Sequence, residues 1–254
     1  MSPDNKPVSD QPSPALVSEG FAAVIGDLVA SRRQERTSLH GVVVEALEAA
    51  DRDVDAIQPL TPTLGDEFQG IYPDLAGALR ACLLVRLHLK GRVDVRFGVG
   101  WGMILQLEPD REALGQDGPA WWSAREAIEE LRESTRARGA PRGRATLFRV
   151  AGEREDAPPP TGDAEFRGHR PLVLAPAVEP LVNALLVCRD ELVAAMDERD
   201  ARILLGLFEG LTPSAIAEKE GISQPAVSQR AARSGAYAVM AAERLVAEAV
   251  RGEV

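Results

Sequence analysis

In the stretch Leu64-Gly-Asp-Glu-Phe-Gln-Gly70, the pair Gly65-Asp66 separates two segments in which apolar and polar residues alternate, 57–64 and 67–72. A Gly-Asp pair in such a position is typical of the two-residue turn of a β-hairpin. Upstream of it, the apolar run from Phe21 to Val29 predicts a buried strand. The hairpin and this strand together predict a sheet in the first half of the chain.

Helical and strand periods alternate around the hairpin. Apolar spacing predicts helices over 39–50, 75–89 and 120–131, and alternation predicts further strands over 93–100 and 145–150. Helices interleaved with strands favour an α/β (α+β) fold in which helices cover a mixed sheet.

Proline-rich segments suggest where this first domain begins and ends. Residues 1–19 combine prolines with polar residues and predict a disordered tail, and a proline run predicts a loop or linker over 156–177. We therefore expect the sheet domain at 20–155 and an all-α domain at 178–254, where only helical periods remain.

Composition limits the class of protein. The 254 residues are 45% hydrophobic, which excludes disorder throughout, and no apolar run approaches the ~18–20 residues of a spanning helix. The net charge of −10 argues against a general nucleic-acid coat or a membrane-surface protein. With two cysteines and no signal-like start, we expect a cytoplasmic location.

Two aspartates follow glycines where strands end. Asp27 follows Gly26, and Asp66 follows Gly65 in the hairpin turn. If the two strands are neighbours, the carboxylates converge at one sheet edge, where they repel each other unless a cation such as Mg²⁺ lies between them. Alternatively, Asp27 caps the next segment and Asp66 only makes the turn.

Four motifs follow one another in the first half: Ile25-Gly-Asp27, the Gly-Asp-Glu-Phe-Gln-Gly70 hairpin, Arg96-Phe-Gly-Val-Gly-Trp-Gly102, and Gly118-Pro-Ala-Trp-Trp-Ser-Ala-Arg125. In this order they resemble class III nucleotide cyclases. The hairpin and the Gly-Pro-Ala helix start resemble the SatD family more closely.

The resemblance implies a cyclase-like, ferredoxin-like sheet, a nucleotide ligand, and Mg²⁺ held by Asp27 and Asp66. Three cyclase residues are missing. No base-selecting Lys precedes the hairpin, Trp122 stands where cyclases have an Asn, and Glu126 stands where they have the transition-state Arg. Whether the chain is an enzyme therefore stays open.

Arg125 is the candidate phosphate contact of the first domain. A helix that opens at Gly118-Pro119 directs free N–H groups towards an anion, and Arg125 follows one and a half turns later. The alternative is a surface ion pair with Glu129 at i+4.

The C-terminal part contains the spacing of a helix-turn-helix. Thr212 caps a helix over 213–220, Gly221 makes the turn, and Ser223 caps a second helix over 224–233. The pattern Ile-Ala-x-x-x-Gly-Ile-Ser-x-x-x-Val-Ser is typical of bacterial regulators. The alternative is a degenerate three-helix module that binds protein.

In a helix-turn-helix the second helix enters the major groove. Residues 176–254 hold 8 basic and 12 acidic side chains, a balance of 8 − 12 = −4, but 221–236 holds two arginines and no acid. A palindromic site requires a dimer, for which the helix over 178–196 or the Ala-rich 236–250 is the candidate contact. The candidate DNA contacts are Ser223, Gln224, Ser228, Gln229, Arg230 and Arg233.

Two functions follow from these patterns. The first is a DNA-binding transcriptional regulator with a nucleotide cyclase-like, ligand-sensing domain. The alternative is a Mg²⁺-dependent nucleotidyl cyclase-type enzyme whose C-terminal helices mediate oligomerisation.

Overall fold

The structure, a computed structural model, describes residues 18–29, 36–63, 65–106, 115–134, 141, 143–152, 172–175 and 177–251. The strands are β1 (Ser18–Val29), β2 (Gln58–Pro62), β3 (Glu67–Tyr72), β4 (Asp94–Gly102), β5 (Leu105–Gln106), β6 (Gln116–Asp117), β7 (Thr146–Val150) and β8 (Leu172–Leu174). The helices are α1 (Arg36–Asp51), α2 (Leu75–His88), α3 (Pro119–Ser134), α4 (Val178–Ala195), α5 (Glu198–Phe208), α6 (Pro213–Glu220), α7 (Gln224–Arg233) and α8 (Ala236–Arg251).

The main sheet is mixed, which confirms the predicted fold class. Its strand order is β2-β3-β1-β4-β7, with β8 paired to the start of β1 and β5–β6 forming a separate small ladder. All pairs are antiparallel except β4–β7. β1 is central and buried on both faces from Phe21 to Asp27, which explains its continuous apolar run.

One face of the sheet is covered by α3, which lies directly on the glycines of β4. A Cβ atom at Gly98 would stand 2.2 Å from the carbonyl oxygen of Ala124, and one at Gly100 would stand 2.1 Å from that of Ala120. The glycines therefore set how closely α3 approaches the sheet.

The other face is covered by helices from both halves of the chain. α1 and α2 pack there, and Val182 and Leu186 of α4 belong to the same buried core. α5 and α8 contact α2, so the C-terminal helices share packing with the sheet domain. None of the described helices is long and apolar enough to span a membrane.

Two predicted boundaries differ from the structure. Residues 18–19, placed in the disordered tail, belong to β1, and 172–174, placed in the linker, form β8, which pairs with the first residues of β1. Each segment is ordered by a partner about 150 residues away along the chain, which a local pattern does not show. The rest of the predicted tail and the span 153–171 lie outside the described residues.

Candidate functional site

Two acidic side chains and one basic side chain lie side by side on three neighbouring strands of the sheet. Asp27 near the end of β1 is directly opposite Glu67 on β3 and Arg96 on β4. Their positions face α3, and Asp27 is buried, with only 4% of the residue exposed. Two adjacent carboxylates at this edge need cations close by.

Arginines supply those cations. Arg96 donates through Nε to Asp27 Oδ1 (3.0 Å) and through Nη2 to Oδ2 (2.8 Å). Arg132 of α3 bridges the two acids, with Nε 3.0 Å from Asp27 Oδ2 and Nη2 2.9 Å from Glu67 Oε1. Arg125 donates to both oxygens of Glu67 at 3.0–3.1 Å. We call these five residues the carboxylate–guanidinium cluster.

Two residues of the cluster, Glu67 and Arg132, have shifted pKa values. Partial burial works to raise the pKa of Glu67, but hydrogen bonds and charge from Arg125 and Arg132 outweigh it and hold this pKa below its usual value. The pKa of Arg132 is raised because Glu67 and Asp27 together outweigh the opposing effect of burial. Both shifts favour the charged forms of Glu67 and Arg132.

The two predicted metal ligands occupy different environments. β1 and β3 are neighbours, and the Asp66 carbonyl accepts a hydrogen bond from the Leu28 N–H at 3.2 Å. However, the residue opposite Asp27 is Glu67, whereas Asp66 is exposed in the turn. Within the described residues no group of three or more His, Cys, Asp or Glu side chains is placed to hold a metal ion, and Mg²⁺ stays a prediction.

The predicted phosphate contact, Arg125, makes its ion pair with Glu67 rather than with Glu129. Sequence reasoning missed Glu67 and Arg132. A usable signal existed for both, because Arg132 is seven residues after Arg125 and so shares its helix face, and Glu67 shares a strand face with Gln69 and Ile71.

The C-terminal helices form the predicted helix-turn-helix. The Thr212 and Ser223 side chains accept hydrogen bonds from the N–H groups of Ala215 and Ala226, which caps α6 and α7. Gly221 ends α6 in the left-handed region (φ 64°), where glycine is favoured. The packing residues are Ile216 and Ala217 of α6 with Val227 and Ala231 of α7, all buried.

The outward face of α7 is polar and contains no acid. Of the six candidate DNA contacts, four are exposed and Ser228 is half-buried. The exposed ones are Ser223, Gln224, Gln229 and Arg233.

Arg230 is engaged within the protein. Its Nε donates to Asp200 Oδ1 at 2.9 Å and its Nη2 donates to Asp197, both at the start of α5. The pKa of Asp197 is lowered, first by the Asp200 N–H and then by Arg230. A second ion pair joins Arg202 of α5 to Glu220 of α6 through two bonds of 2.8 Å. The two pairs hold α5 against α7 and α6, respectively.

Comparisons with known proteins agree with the resemblance in the first half of the chain. Residues 21–137 match the SatD family, which confirms that resemblance over this range. No curated protein matches the chain.

Among solved structures, the guanylyl cyclase domain of the RhoGC fusion protein from the aquatic fungus Blastocladiella emersonii is 14% identical, with a TM-score of 0.35, over 46% of this chain and 77% of that one. Two structures of bacterial light-regulated adenylyl cyclases are 13% and 15% identical. Their TM-scores are 0.38 and 0.36, over 53% and 69% of this chain and 44% and 99% of theirs. All three TM-scores are below 0.5.

Proposed function

We propose that this chain, whose residues 21–137 match the SatD family, is a DNA-binding transcriptional regulator with a cyclase-like, ligand-sensing domain. The observation that carries this proposal is the outward face of α7. It is exposed, polar and free of acid in a chain of net charge −10. An acid-free face in such a chain is where a polyanion can approach.

The side chains of this face suit base and phosphate contacts. Gln224 and Gln229 carry amides, which can bond adenine through its N6 and N7 atoms. Arg233 is the exposed arginine of α7 and suits a phosphate oxygen. We assign Arg230 a different role, because its guanidinium already ties α7 to Asp197 and Asp200.

A second copy of the chain is the proposed partner, because a single short helix reads few base pairs. α4 presents an apolar stripe at positions i, i+4, i+7 and i+11, which lie on one helix face. Leu181 in this stripe is 71% exposed and Leu192 is 37% exposed. The stripe, composed of Leu181, Leu185, Cys188 and Leu192, is about 16 Å long.

The sensing role follows from shared packing. α4 carries the apolar stripe on one side and packs against β7 and the sheet core on the other. A ligand that shifts the sheet domain therefore acts on a helix of the dimer contact. The proposed ligand is a nucleotide, as the resemblance implies.

Selection from random duplexes tests the function. The intact chain is used to enrich bound DNA, which is then sequenced. We expect a two-fold symmetric motif with half-sites about one helical turn apart, and an altered motif with Gln229→Ala. A bound pool with no sequence preference contradicts a regulator that reads one site.

A further inference from the structure

The carboxylate that the resemblance gives to a divalent cation is already surrounded by cations of the chain. Both oxygens of Asp27 accept hydrogen bonds from Arg96, and Oδ2 also accepts one from Arg132. Mg²⁺ requires direct oxygen contacts at about 2.0–2.1 Å in a near-octahedral set. A dication at Asp27 Oδ2 would stand against the Arg132 guanidinium, so these side chains as arranged do not fit Mg²⁺.

The charge of the cluster leads to the same result. Its three guanidiniums and two carboxylates sum to 3 − 2 = +1, and the Asp66 carboxylate at the neighbouring turn brings this to 0. The two predicted ligands, Asp27 and Asp66, would by themselves have a net charge of −2, which a divalent cation would neutralise. The arginines have removed that excess negative charge.

Arg132 holds the bridging position. Two carboxylates stand opposite each other on neighbouring strands, and its guanidinium bonds to one oxygen of each, at 3.0 and 2.9 Å. We infer that the Arg132 guanidinium, which lies between Asp27 and Glu67, supplies at Asp27 the positive charge that the resemblance gives to a divalent cation. Because Arg132 belongs to α3, this internal cation also ties α3 to the sheet. The inference does not depend on DNA binding.

Mn²⁺ binding to the full chain, measured by the loss of the free-ion paramagnetic resonance signal, tests this inference. The wild type is expected to bind no Mn²⁺ at Asp27. Arg132→Met keeps an unbranched apolar stem but removes the charged guanidinium, and should bind Mn²⁺ at least about tenfold more tightly than the wild type. Adding Asp27→Asn to this variant should abolish the gain. Arg132→Lys is the matched control, because it keeps the positive charge and should behave like the wild type.

Two results would overturn the inference. One is Mn²⁺ binding by the wild type that Asp27→Asn removes. The other is an Arg132→Met protein with a native circular dichroism spectrum that binds Mn²⁺ no better than the wild type. If Arg132→Met does not fold, the inference is tested by comparing Mn²⁺ binding to the wild type with Mn²⁺ binding to Asp27→Asn. Equal Mn²⁺ binding by both supports the inference, and a loss in Asp27→Asn contradicts it.

Discussion

Asp27 illustrates what a single residue reveals before the structure is known. Its place after a glycine at the end of an apolar run indicates a polar group at a strand end, and the structure has it there. Its partners could not be predicted, because Arg132 lies 105 residues away along the chain and arrives only when α3 packs on β4. The sequence shows the glycines of β4 that allow this packing, but it does not show which helix packs against them.

Glu67 yields a pH-dependent prediction at this scale. Its pKa is lowered in the folded state, so its contribution to stability is present above its unfolded pKa and is lost as pH falls through the folded value. Glu67→Gln should lower the free energy of unfolding at pH 7 by about 0.5–1 kcal/mol, a modest figure because the pair is partly solvated. The difference between variant and wild type should shrink below about pH 4, near and under the ordinary Glu pKa. Urea unfolding at a series of pH values measures this difference in the free energy of unfolding. A difference that grows as the pH is lowered contradicts the prediction.

Among the elements, the helix-turn-helix is the best predicted. The expected bounds 213–220 and 224–233 agree with α6 and α7, because caps, turn glycine and prolines act within a few residues. The strand β8 was missed because its partner is distant. The location of α4 was predicted, but not that it shares the sheet core.

A buried ion network joins α4 to α8 and β7. Arg189 bonds to Glu243 at 3.1 Å and to Asp190 at 3.3 Å, and Asp190 also accepts the Ala145 and Thr146 N–H groups. Removing the Arg189 guanidinium takes this partner away from the buried Glu243, whereas Asp190 keeps its ion pair with Arg86 at 3.1 Å. Such a network makes the C-terminal helices part of the stability of the whole fold.

Arg189→Met should therefore destabilise the protein by about 3–5 kcal/mol, the usual cost of breaking a buried pair on one side. The matched control is Arg244→Met on α8, where the side chain is 68% exposed and a change within about 0.5 kcal/mol is expected. Chemical unfolding of both variants gives the comparison. Equal stabilities for the two would show that the network does not hold α4 and α8 in place.

For the whole molecule, the net charge of −10 and the acid-free face of α7 lead to different conclusions. The first excludes a protein that coats nucleic acid, and the second leaves room for a reader of one short site. In the proposed regulator such a local contact is made by two copies of α7, and the apolar stripe of α4 is the surface proposed to join them.

Cys188 gives a direct readout of that surface. It lies in the middle part of the stripe and is exposed, whereas Cys82, the other cysteine of the chain, is buried. In an antiparallel two-fold pair of α4 helices, the central residues meet their own copies. Mild oxidation should therefore give a covalent dimer that Cys188→Ala lacks.

The oligomeric state itself is measured by sedimentation. The variant Leu181→Glu, which places a charge in the stripe, should sediment as a monomer. A wild type that sediments as monomer at all concentrations contradicts this contact.

The salt dependence of DNA binding tests the central claim, that α7 binds DNA, most directly. Duplex affinity is measured from about 50 to 200 mM salt for the wild type, Arg233→Gln and the control Arg52→Gln, which removes an equal charge from an exposed turn of the sheet domain. We predict that Arg233→Gln weakens binding and reduces the slope of log K against log salt by about 0.9 per chain, and that Arg52→Gln changes neither. No retention of DNA by the wild type at low salt, or equal slopes for Arg233→Gln and the wild type, would contradict the claim.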